Sequence, residues 1–110
     1  MSRLYNILNK LAVKETIYTG TAVKVERVGN IMRAYTTAVA AKSEMDNLGS
    51  HIPDALKPSS TIWGVGIARS SSVYTARLCR MSTAGVVGYS DQSGSTLTWD
   101  YGTFDFTWFV

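Results

Sequence analysis

Between Thr61 and Val110 the chain presents five short runs rich in β-branched and aromatic residues: TIWGVGIAR, SVYTARLCRM, GVVGYS, STLTW and TFDFTWFV. The separators Ser70-Ser71, Thr83-Ala84-Gly85, Gln92-Ser93-Gly94 and Asp100-Tyr101-Gly102 supply the glycines and small polar residues that turns require. Five such runs in 50 residues restrict this half of the chain to β architecture. The last run alternates most cleanly. Phe104, Phe106, Trp108 and Val110 fall on one face and Asp105 and Thr107 on the other, which predicts an aromatic row laid into a core.

Upstream, ETIYTGTAVKVERV and IMRAYTTAVA are also extended in character, with Val23 and Val25 on one face and Lys24 and Glu26 on the other. Gly29-Asn30 between them predicts a two-residue hairpin turn. The stretch AKSEMDNLGSHIPDALKPSST breaks both periods and holds both prolines, Pro53 and Pro58. A helical turn beginning near Ser43 and ended by Gly49 is expected within it. Long connections of this kind cross between sheets in Greek-key and jelly-roll sandwiches. The opening segment SRLYNILNKLAVK instead places Leu4, Ile7, Leu8 and Leu11 at helical spacing, with Ser2 as N-cap. The expected fold is mainly β: an antiparallel β-sandwich or jelly-roll-like domain over residues 16–110, behind a short N-terminal α-helix over residues 1–15.

A helix of about three turns is marginal alone, so its apolar stripe needs a cover. Either the domain itself or the same helix from neighbouring copies can provide it. The second arrangement makes Leu4, Ile7, Leu8 and Leu11 the oligomerisation residues. A 110-residue chain holds one modest core, and self-association would extend it.

The formal charge of +3 is unevenly placed. From Met81 onward the only ionisable charges are Asp91, Asp100 and Asp105, while the basic residues elsewhere are singly spaced and form no concentrated stripe. Nucleic acid is therefore not the expected partner. The single cysteine, Cys79, excludes an internal disulfide, and the sequence shows neither a signal peptide nor an apolar run long enough to cross a membrane as a helix. Synthesis in the cytoplasm and no membrane association are expected.

Catalytic and metal chemistry find little to work with. The only histidine, His51, sits in the proline-containing connection, and Cys79 reads as a small buried hydrophobe within a strand. One His and one Cys make no zinc tetrad, and Asp91, Asp100 and Asp105 match no calcium loop. GVGIARS lacks the Lys-Ser/Thr end of a phosphate-binding loop. No enzyme activity, metal or cofactor is expected. Aromatic groups are the remaining resource: Trp108 belongs to the core row, whereas Tyr89, Trp99 and Tyr101 lie at the ends of short runs. Those three are the candidate ligand-binding residues, since aromatic faces bind sugar rings and anchor protein contacts.

The order LYNILNKL, VERVGNIMRAY, IPDALKPSSTIWGVG, YTARLCRMSTAGVVGYS and a closing aromatic strand resembles small bacteriophage virion proteins of the fibre or appendage type, the knob of a tail or head fibre. The resemblance implies a β-sandwich assembled as a homotrimer, made in the host bacterial cytoplasm and carried in the virion. It also implies contact with other virion proteins and a part in host attachment, with a cell-surface glycan as receptor. The alternative is a small nucleic-acid-binding β-barrel, which the basic portion and the aromatics would allow.

Overall fold

The computed structural model describes residues 14–90 and 97–110. The expected N-terminal helix, with Leu4, Ile7, Leu8 and Leu11, lies outside the described residues, as does Asp91. Among the described residues the chain is mainly β, with nine strands in two antiparallel sheets.

The first sheet is built from β1 (Lys14–Thr19), β2 (Val23–Val28), β3 (Ile31–Thr36) and β9 (Asp105–Phe109), in the order β1-β2-β3-β9. The second is built from β4 (Ala40–Ala41), β5 (Ile62–Ser70), β6 (Val73–Met81), β7 (Val87–Ser90) and β8 (Tyr101–Gly102), in the order β4-β8-β5-β6-β7. Lys14 and Glu15, expected within the N-terminal segment, are paired with Val28 and Arg27 and belong to β1. The connection expected to cross between sheets does not: the chain has already crossed between β3 and β4, over residues 37–39. The long connection joins β4 to β5 within the second sheet, from its edge to its interior, carrying the helix α1 (Lys42–Asp46) and two 3-10 turns at Leu48–His51 and Asp54–Leu56.

Turn chemistry explains the hairpins. Gly29 has φ of +59° at the first central position between the paired residues Val28 and Ile31, a left-handed conformation that costs glycine nothing. At the tip of the β5-β6 hairpin, Ser71 and Ser72 both take positive φ, 52° and 66°. That sign pattern belongs to the tight turn matching strand twist, but serine holds it with strain. The sequence did not announce the hairpin between β1 and β2, where the Gly20 N–H donates to the Val23 carbonyl at 2.8 Å.

The two sheets share one core. Alternation buries Val23, Val25, Met32, Ala34, Phe106 and Trp108 from the first sheet against Ala68, Cys79, Met81, Val87 and Tyr89 from the second. The aromatic row on β9 is present in Phe104, Phe106 and Trp108, while Val110, expected on the same row, is exposed after the strand ends at Phe109. Small residues on β5 make the close approach possible. A side chain at Gly66 would collide with the Thr103 carbonyl, and one at Gly64 would sit 3.4 Å from the Phe106 ring. The chain can therefore pass from β8 in one sheet to β9 in the other within two residues. The connection seals one side, where Trp108 Nε1 donates to the Leu56 carbonyl at 2.8 Å.

The run STLTW does not form a strand in its described part. Leu97, Thr98 and Trp99 lie outside any strand, although the Leu97 N–H donates to the Tyr89 carbonyl at 3.0 Å.

Candidate functional site

The three aromatic residues singled out from the sequence occupy different environments. Tyr89 is inward-facing on β7, its hydroxyl donates to the Thr103 carbonyl at 2.6 Å, and burial pushes that hydroxyl's pKa up. Trp99 is also buried and meets the Tyr89 ring edge-on at 4.7 Å between centroids. These two rings are core, so they do not form the exposed stacking surface expected of them. Both lie next to short segments whose four or fewer residues do not fix the phase of alternation, which only the packing of the second sheet decides.

Tyr101 is at the surface and lines an open groove of about 750 Å³. One wall is the end of β1 and the turn to β2, from Tyr18 to Ala22; the other is Val39 to Ala41 with Ser43, Glu44 and Asn47 from α1 and its end. The turn and the helix are tied by one contact, in which the Ala22 N–H donates to Glu44 Oε1 at 3.0 Å. Gly20 permits this approach, because a side chain there would meet the Glu44 carboxylate and the Tyr18 ring.

The two aromatic walls are held from outside the groove. Tyr18 stacks on His51, with centroids 3.9 Å apart and planes within 9°. Tyr101 carries the Arg69 guanidinium 4.2 Å from its ring centroid. Arg69 is fixed in turn by a two-pronged bond to Asp100, at 3.0 and 2.6 Å, and that bond holds the Asp100 carboxyl below its ordinary range. Between the rings the groove offers polar groups. Asn47 donates to the Ser43 carbonyl at 3.0 Å, which orients its side-chain oxygen, and Glu44 keeps a second oxygen beyond the one bound to Ala22.

The remaining candidates do not assemble. Cys79 is buried on the inner face of β6, where burial pushes the thiol up to about 11, while His51 is exposed in the connection and occupied by Tyr18. Asp100 is paired with Arg69 and Asp105 with Arg33, at 2.7 Å. Among the described residues no three His, Cys, Asp or Glu side chains converge on a possible metal position.

Tyr18 and Glu44 were not legible as site residues. Tyr18 reads as one member of an alternating strand, and the bond from Ala22 to Glu44 spans 22 residues, beyond any local pattern. No family model, curated protein or solved structure matches the chain, so its function rests on its own residues and geometry.

Proposed function

We propose that this chain is a non-enzymatic attachment domain of a phage fibre or appendage, and that it holds a saccharide from the host surface in the groove between Tyr18 and Tyr101. The observation that carries this reading is the combination of two supported tyrosine rings with Glu44, Ser43 and Asn47 in one open groove. Sugar rings present apolar C–H faces to tyrosines and hydroxyls to carboxylate and amide oxygens. A groove of this size suits a few sugar units, since ligand sites run from about 300 to 1,000 Å³.

In this reading the sandwich is of the jelly-roll-like kind, supported by the direct passage of β8 into β9 between sheets. The segment before β1, expected from its sequence to be helical with Leu4, Ile7, Leu8 and Leu11 on one face, is in this reading the trimerisation element, and repetition on a particle supplies avidity to weak single sites. Binding to one copy should be near 1 mM, about −4 kcal/mol. The test is a glycan array of bacterial surface polysaccharides followed by titration of the best binder. Tyr101→Ala and Tyr18→Ala should each weaken binding at least tenfold. Absence of binding across the array, or binding unchanged in both variants, overturns the assignment.

A further inference from the structure

The outer face of the second sheet is not an ordinary solvent face. Trp63, Val65 and Ile67 on β5 are 55%, 74% and 43% exposed, and Tyr74 and Leu78 on β6 are 53% and 41% exposed. Together they present on the order of 600 Å² of apolar surface, at the upper end for the largest patch on a typical monomer. Across both strands the only charged residues are arginines; lysine, aspartate and glutamate are absent. Aromatic residues and arginine without lysine or acids is the composition of a protein interface.

The face also has internal symmetry. On β5 the outward positions read Trp63, Val65, Ile67, Arg69: aromatic, aliphatic, aliphatic, arginine. On β6 they read Tyr74, Ala76, Leu78, Arg80, the same series. Because the strands run antiparallel, each aromatic residue pairs with the other strand's arginine, Trp63 with Arg80 and Arg69 with Tyr74. The guanidinium groups lie 5.9 and 6.0 Å from the ring centroids. Gly88 opposite Arg80 leaves room for that side chain, with its Nε 3.7 Å from where a β-carbon would stand. The result is a flat aliphatic centre about the Gly66-Arg77 pair, with an aromatic-arginine clasp at each end.

We propose that this face is the contact between two copies of the chain, related by a two-fold axis between stacked sheets. Sheets pack face to face about 10 Å apart with strands nearly aligned, which sets aliphatic centre on aliphatic centre. With the strands of the two copies reversed, the Trp63-Arg80 end of one lies over the Arg69-Asp100 end of the other. Charge favours this overlay. Arg80 makes no ion pair among the described residues, whereas Asp100 is half exposed beyond its bond to Arg69. Adding the partly buried arginine stems leaves the patch below the ~800 Å² per partner of a standard interface, the size of a weak, concentration-dependent contact. The contact does not use Leu4, Ile7, Leu8 and Leu11, but at one end it shares Arg69 and Asp100 with the support of Tyr101, so Val65 and Arg80, which touch nothing in the groove, are the positions that separate it from glycan binding.

The mass of the full chain, measured by sedimentation equilibrium from micromolar to a few hundred micromolar, tests it. Wild type should reach an even-numbered assembly, Val65→Asp should raise the dissociation constant at least a hundredfold, and Arg80→Glu about tenfold. Thr107→Lys, on the outer face of the other sheet, should leave it unchanged. Val65→Cys provides an arm independent of the folding of the charged variant. Because Cys79 is buried, a short thiol cross-linker should join only the engineered position into dimers, and wild type should not react. A monomer across the whole range, a trimer indifferent to Val65→Asp, or no cross-linking through Val65→Cys overturns the proposal. So does binding of single-stranded oligonucleotide that Arg69→Ala and Arg80→Ala abolish, since the face would then serve nucleic acid.

Discussion

The outer faces of the two sheets solve the same problem in opposite ways. On the first sheet the outward positions of β2, β3 and β9 carry Lys24, Glu26, Arg33, Tyr35 and Asp105, which are occupied with one another, and only the row at the hairpin end, Val28, Ile31 and Phe109, is apolar and exposed. Glu26 is nearly fully buried beneath its neighbours: Tyr35 donates to it at 2.9 Å, and Lys14 and Lys24 approach at 3.3 and 3.8 Å. Arg33 binds Asp105 with two prongs and lies 3.9 Å from the Tyr35 ring centroid. On the second sheet the equivalent positions are apolar and open. The difference shows that strand alternation fixes which residues point outward but leaves open what they meet there. Paired charges leave the middle of the first face satisfied and confine its exposed apolar area to one end, whereas the second face exposes apolar area through its centre, which costs free energy in water.

The largest expected effect removes what both faces rest on. Phe106 lies between the sheets, stacked on Phe104 at 5.4 Å, and Phe106→Ala should destabilise the chain by about 3–5 kcal/mol. Urea unfolding followed separately by tryptophan fluorescence and by far-ultraviolet circular dichroism should give one transition. Two separated transitions would mean that the sheets do not share a core.

Next is Glu26. Burial alone would raise its pKa, but the bond from Tyr35 and the charges of Lys14 and Lys24 outweigh burial and hold it below the ordinary value of 4.5. A carboxyl depressed in the folded state contributes stability that is complete above its unfolded pKa and is lost as pH falls through the folded one. Stability should therefore decline below about pH 4.5, and Glu26→Gln should flatten this decline. Glu26→Ala at neutral pH should cost about 1 kcal/mol through loss of the Tyr35 bond, since Lys14, Lys24 and the half-buried Tyr35 hydroxyl can all turn to water. The exposed Arg33-Asp105 pair should be worth less than about 1 kcal/mol.

Smaller again is the strained tip of the β5-β6 hairpin. Replacing Ser71-Ser72 by Asn-Gly should stabilise by about 0.5–1 kcal/mol, read as a rise in melting temperature. A fall would show that the serines have a role beyond the turn. The smallest effect belongs to the open face itself. Val65→Thr should change stability by no more than about 0.5 kcal/mol, because both residues suit strands and this one is exposed. Calorimetry of a dilute sample would check that figure.

Parts of this fold were legible because they are local. Gly29-Asn30 marked its hairpin, and β9 declared its buried row through five alternating residues. The turn at Gly20 was hidden because ETIYTGTAVKVERV keeps its extended character through the bend, and the bend is held by Glu44 from a distant helix. STLTW has strand composition, but the neighbours of β7 determine where Leu97 and Trp99 lie. Of the candidate site, Tyr101 was readable as an aromatic residue beside a turn. Tyr89 and Trp99 were misplaced because their burial depends on Thr103 and the inner face of β5, which meet them only after folding.

The position of the last two described strands bears on how the protein is made. β8 separates β4 from β5, and β9 covers β3, so each sheet reaches its final set of strands only through residues 101–109. During translation, neither β3 nor β5 can acquire its final neighbour until those residues emerge from the ribosome. Until then the apolar inner faces of both hairpin units stand exposed, a period in which long-range pairing is slow and premature association is a hazard. Cellular yield should thus respond more to chaperone supply and translation speed than the stability of the finished domain would suggest.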